Sequence, residues 1–84
     1  MSYWNYRVIH KYHEKQDSHT YQIHEVYYDD NDKIEGWTES AMEPFGETPS
    51  ELREDIRYFI KALQKPILKS TIEGGEEILV VDED

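Results

Sequence analysis

The chain has 84 residues, of which 37% are hydrophobic, 33% charged and 13% aromatic, with a formal net charge of −10. That length holds one core and excludes a second domain, and the aromatic content marks a folded chain rather than a disordered one. The absence of cysteine excludes disulfides and thiolate zinc sites, and no apolar run approaches the ~20 residues that span a bilayer.

Residues 3–13 alternate, with Trp4, Tyr6, Val8, His10 and Tyr12 on one side and Arg7, Ile9, Lys11 and His13 on the other. This is the pattern of a half-buried strand. Residues 19–28 repeat it, joined to the first by the polar connection Glu14-Lys15-Gln16-Asp17-Ser18. Asp29-Asp30-Asn31-Asp32 is a second turn, since Asn and Asp tolerate left-handed conformations. Its likeness to a calcium loop is superficial, because Lys33 and Ile34 stand where a ligand and the turn glycine belong. A third strand is expected from about Lys33 to Met42.

The helix signal is the firmest in the chain. Thr48 is placed to cap, Pro49 suits the first helical position, and Glu51 completes a Thr-x-x-Glu capping box. Leu52, Ile56, Phe59, Ile60 and Leu63 then form one apolar face. Pro66 should end or kink the helix near residue 65, with a last turn reaching Leu68 as the longer option. Five of the nine basic residues (Arg53, Arg57, Lys61, Lys65 and Lys69) follow at steps of four. A step of four advances about 40° around a helix, so Arg53 and Arg57 border the apolar face while Lys61 and Lys65 turn outward. The arginines are expected to reach strand acids such as Glu35 and Glu39 in surface pairs. Glu73-Gly74-Gly75-Glu76 reads as a flexible link, and Ile78-Leu79-Val80-Val81 as a short strand or part of a frayed tail.

The fold expected is α+β: a three-stranded antiparallel sheet followed by one C-terminal helix packed on one face. Residues 1–69 would be the domain and residues 70–84 an acidic, weakly structured tail. One helix covers one face of a sheet, so the other is left open or covered by something else.

Charge limits the partners. Residues 1–24 carry three basic and two acidic groups, and residues 25–84 six basic and seventeen acidic. A chain so acidic is repelled by nucleic acid unless its cations gather on one face, so no nucleic-acid partner is expected. A membrane partner is not expected either, and the start Met1-Ser2-Tyr3-Trp4 lacks the layout of a signal peptide, which points to the cytoplasm.

His10, His13, His19 and His24 invite a metal reading, with His10 expected near His24 and His13 near His19 across the hairpin. They lack a complete ligand pattern and read as ordinary strand residues, so no metal and no cofactor is expected. No nucleophile elbow, phosphate-cradling glycine loop or cysteine nucleophile is present, and the chain reads as a non-enzyme. The aromatics are the better functional signal, because Trp and Tyr dominate interface energetics. Trp4, Tyr12, Tyr21, Tyr27 and Trp37 are the candidate binding surface on an open sheet face, with Arg53, Arg57, Lys61 and Lys65 a second, basic one. The function expected is protein binding to an unidentified partner or to a second copy. The alternative is an acidic inhibitor that mimics nucleic acid toward a basic protein.

Trp4-Asn5-Tyr6-Arg7-Val8-Ile9, the run from Tyr21 to Tyr28, Gly36-Trp37-Thr38-Glu39, Gly46-Glu47-Thr48 and the run from Ala62 to Leu68 share a pattern. It resembles a family of small uncharacterised bacterial proteins of about this length, over residues 3–69. The resemblance implies a strand-strand-strand-helix domain and no activity. Members carry Asn-Gly in the second turn, where this chain has Asn31-Asp32.

Overall fold

The computed structural model describes residues 2–82. In chain order it forms β1 (Tyr3–His13), a 3-10 turn (Glu14–Gln16), β2 (Ser18–Tyr28), β3 (Ile34–Trp37), α1 (Pro49–Leu63), β4 (Leu68–Glu73) and β5 (Glu76–Val81). The strands make one mixed sheet of order β3-β2-β1-β4-β5.

The three-stranded antiparallel sheet expected from sequence is therefore wrong. After the helix the chain re-enters the sheet: β4 lies parallel to β1 with Leu68 opposite Ile9, and β5 returns antiparallel. The stretch read as a flexible link is the hairpin turn that makes this possible. Gly74 and Gly75 sit at φ 60° and 83°, the left-handed pair a two-residue hairpin turn requires and only glycine adopts without strain. The segment expected as a tail with at most a short strand at 78–81 instead supplies strand at residues 70–73 and 76–81; the final acidic residues 83 and 84 lie outside the described residues.

The β1–β2 hairpin closes on His13 and Ser18, with Asp17 left-handed at φ 48° and its N–H donating to Glu14 O at 3.2 Å. At the second turn Asp32 itself takes the left-handed conformation (φ 63°), and Asp29 Oδ1 accepts from the N–H groups of Asn31 and Lys33. A short carboxylate side chain here does what Gly does in an Asn-Gly turn. β3 is shorter than expected, although Thr38 and Met42 still donate backbone hydrogen bonds to Glu25 and Ile23 of β2.

Paired residues share a face. Tyr3, Asn5, Arg7 and Ile9 of β1 thus lie with Tyr28, Val26, His24 and Gln22 of β2, and with Leu68 of β4. On this face Ile9, Val26, Tyr28 and Leu68 form the core, joined by Ile34 and Trp37 from one outer strand and Leu79 from the other. Strands at opposite ends of the sheet meet on one cluster, so the sheet curls to nearly a barrel around it. Right-handed strand twist drives such curling. The helix lies on the convex face, where Phe59 meets Tyr6 with ring centroids 4.6 Å apart.

The helix begins as its sequence predicts. Glu51 N–H donates to Thr48 Oγ1 at 3.1 Å, while Glu51 Oε1 accepts from Glu47 N–H, one residue before the usual capping-box partner. It ends at Leu63 with Gln64 as cap, and Leu68 belongs to a strand rather than to a last helical turn. Gly46 lies so close to the helix start that a Cβ there would stand 2.2 Å from Leu52 N.

Candidate functional site

Helix α1 is fastened to β1 by one carboxylate. Asp55 Oδ1 accepts from the Tyr6 hydroxyl at 3.0 Å and Oδ2 from the Phe45 N–H at 2.8 Å, so a single side chain ties strand, loop and helix together. Burial, and then the Asp55 carboxylate, push the Tyr6 phenol up to about 12, which keeps its proton in this bond. Arg7 holds the helix exit from the other side, donating to the Pro66 carbonyl at 2.7 Å and to the Tyr28 hydroxyl at 3.0 Å.

The helix seats on the sheet through Ala62, fully buried, and through the partly buried Asp55 and Phe59. Its apolar stripe does not face the sheet. At 100° per residue, Leu52, Ile56, Ile60 and Leu63 lie about a quarter turn or more from Ala62. All four are exposed, Ile60 at 50% and Leu63 at 69%. The expectation that this stripe packs down is corrected: a small alanine lets the helix come close on a narrow contact, and the large aliphatics stay on its flank. That flank continues onto the sheet through a groove of about 320 Å³ lined by Val8, Tyr21, Ile23, Met42, Phe59 and Leu63.

The opposite flank is different in kind. Trp4, Tyr6, Tyr58, Lys61 and Lys65 border a cleft of about 570 Å³, beside the part of β1 that precedes its pairing with β4. Trp4 and Tyr6 meet edge to face at 5.2 Å, and Lys61 Nζ stands 5.1 Å from the centre of the Tyr58 ring. Among the described residues neither lysine forms an ion pair. Asp55 also borders the cleft, with both oxygens engaged as described. A second cleft, under the loop at Met42 and Phe45, is lined by Glu43, Glu51, Glu54 and Asp55 and by no cation.

Of the five aromatics predicted to bind, Trp4, Tyr12, Tyr21 and Tyr27 share the convex, helix-bearing face and are exposed. Trp37 pairs with Val26 on the concave face and packs at the rim of the core. The aromatic surface is thus on the helix's own side, because β4 and β5 close the far side. Tyr12 and Tyr27 donate to Asp17 and Glu25, each at 2.8 Å, and these bonds to carboxylates raise both phenols above their usual value. The basic stripe does not reach across to the sheet acids: Arg57 pairs with Glu54 at 3.0 Å within the helix, both exposed, rather than with Glu35 or Glu39, while Lys65 lies past the helix end and Lys69 in β4.

The histidines depart from the expected pairs. The hairpin register places His19 opposite Tyr12 and His24 opposite Arg7. His10 Nδ1 lies 2.7 Å from Asp82 Oδ2, and its Nε2 lies 2.8 Å from His19 Nδ1, while Tyr21 stacks on its ring at 4.4 Å. With Asp82 ionised, His10 donates from Nδ1 and accepts at Nε2 from His19. Asp82 N–H also donates to the Ile67 carbonyl, so this chain of bonds latches the end of β5. His24 is buried in the concave core, where its Nδ1–H donates to the Thr38 carbonyl at 2.9 Å and Nε2 has no partner among the described residues. Desolvation lowers its pKa, and the neutral ring is the form that fits. Among the described residues no group of three or more His, Asp or Glu side chains is arranged to hold a metal ion.

Sequence reasoning missed Asp55, Tyr58 and Asp82. Tyr58 carried a signal, since it stands three and seven positions before Lys61 and Lys65 on one helix flank. Asp82 carried none, being 72 residues from His10. No protein-family model, curated protein or solved structure matches the chain. No helix among the described residues is long and apolar enough to cross a membrane.

Proposed function

We propose that the protein is a protein-binding module that works through the apolar flank of α1 and the neighbouring sheet aromatics, and that its partner is a second copy of the chain. The exposure of Leu52, Ile56, Ile60 and Leu63 as one continuous stripe is the observation that carries this reading. Contiguous apolar surface on a small domain marks an interaction site. Each of these side chains gains roughly 1 kcal/mol on having its remaining exposed half covered.

Charge supports a second copy as the occupant. The helix start is acidic (Glu47, Glu51, Glu54 and Asp55 against Arg53) and its end basic (Arg57, Lys61 and Lys65). Antiparallel apposition about a two-fold axis sets the acidic start of each helix beside the basic end of the other. It also opposes the helix dipoles favourably. Packing would be ridge-into-groove along Leu52, Ile56, Ile60 and Leu63.

Light scattering over a concentration series tests this. The expected mass rises toward twice the 10.1 kDa of one chain, and Leu63→Glu holds the protein at the monomer mass. A monomer at millimolar concentration, or a dimer indifferent to both Leu63→Glu and Ile56→Glu, overturns the proposal.

A further inference from the structure

The geometry points to a second site on the other flank of α1: the cleft bordered by Trp4, Tyr6, Tyr58, Lys61 and Lys65 binds a planar aromatic ring that carries phosphate, the chemistry of a nucleoside diphosphate. Its volume of about 570 Å³ suits a ligand of that size, since small-molecule pockets run from about 300 to 1,000 Å³. Three aromatic rings make its walls, and two of them keep an open surface: Trp4 is 50% exposed and Tyr58 51%. Exposed rings at the mouth of a cleft offer stacking surfaces, and stacking on a base is favourable by about 1–3 kcal/mol per ring.

The cations make the ligand anionic. Lys61, in the last turn of α1, and Lys65, just past the Gln64 cap, both border the cleft. Two ammonium groups bordering one cleft can share one diphosphate. Asp55, the acid that borders the cleft, directs its two oxygens to the Tyr6 hydroxyl and the Phe45 N–H and forms no ion pair with either lysine. In a chain of net charge −10 this lining has more cations than carboxylates, whereas the adjacent cleft at Glu43, Glu51 and Glu54 has only carboxylates. Ring and charge also lie on the correct sides of each other. Trp4 enters from the strand, the lysines from the end of the helix and the turn after it, and a ring resting on Trp4 would direct its phosphates toward the helix end.

The test is a titration of the full-length protein with ADP, adenosine and pyrophosphate in separate arms, without divalent cations, read by amide and indole NMR shifts. The indole N–H of Trp4 reports the cleft and that of Trp37, on the concave face, is the internal control. Saturable ADP shifts at Trp4 and residues 58–65, with Trp37 unmoved, are expected. Adenosine should bind at least tenfold more weakly, and pyrophosphate should leave Trp4 unmoved. The double variant Lys61→Gln, Lys65→Gln changes two exposed positions, so it should keep the native spectrum and weaken ADP about tenfold or more while leaving adenosine unchanged. Three results overturn the proposal: no saturable shift at millimolar ADP, shifts centred outside the cleft, or equal affinity for ADP and adenosine in the parent protein. Pyrophosphate binding as tightly as ADP would also overturn it, by removing the ring from recognition. The readout is at Trp4 and residues 58–65 rather than in molecular mass, so its failure is distinguishable from failure of the dimer on the apolar flank.

Discussion

The concave and convex faces of the sheet are built from similar alternating strands, yet one is closed and the other open. On the concave side Ile9, Val26 and Leu68 are almost wholly buried, and residues from β3, β1 and β5 converge there. On the convex side the buried residues are Tyr6, Val8 and His10 with Ala62 of the helix, and the helix's large aliphatics point sideways. Stability therefore resides in the curled sheet, and the helix side is free to carry binding surfaces. Its two flanks, one apolar and one aromatic and cationic, are available because neither is needed to close the core.

This contrast can be broken most directly in the core. Ile9→Ala should lower unfolding free energy by about 2–5 kcal/mol in urea denaturation, the usual result of a buried cavity. A loss below 1 kcal/mol would mean the concave cluster is not the centre of stability. Asp55→Ala is the next largest. It deprives Tyr6 and the Phe45 N–H of their acceptor, and a loss of about 1–3 kcal/mol is expected by the same measurement. Because Asp55 is the fastening of the convex side, hydrogen exchange should quicken in α1 and leave β2 unchanged.

The third prediction concerns His24. Its pKa is lowered in the fold, so the unfolded chain takes up a proton first as the solution is acidified. Stability from this residue is fully present above the ordinary histidine value of 6.5 and is lost as pH falls through the lower folded value. Thermal melts of the parent and of His24→Gln should diverge in their pH dependence below about pH 6.5, the variant being flatter. Parallel curves would show that His24 takes no part. The smallest effect is the sharpest test of the comparison. Leu63→Ala, at an exposed position of the convex side, should change the stability of dilute monomer by under about 0.5 kcal/mol, while weakening association at high concentration.

Several features of this arrangement were legible from residues alone. Thr48, Pro49 and Glu51 mark the helix start where it is found, and the alternation of Trp4 to Tyr12 and of Tyr27 against Tyr28 assigns faces correctly. Gly74-Gly75 between Ile72 and Ile78 was a hairpin signal as strong as any in the chain. Read as a linker, it concealed two strands. The histidine pairs failed for a different reason. A one-residue error in hairpin register moves every side chain to the other face, and the actual turn brings His10 to His19 rather than to His24.

Local periodicity is a property of the backbone, with a step of 3.6 residues in a helix and two in a strand. It therefore settled which residues lie together on α1, β1 and β2, and it placed Arg53, Arg57, Lys61 and Lys65 on a winding stripe. Which of those faces would be buried was decided elsewhere in the chain. Leu68 and Leu79 arrive from after the helix to close the concave side, and Ala62 lets α1 roll until its aliphatic stripe turns away from the sheet. Burial depends on what reaches a surface from a distance, and no periodicity records that. The sequence by itself determined the elements and their faces; only the tertiary structure decided which faces close into a core and which are left for partners.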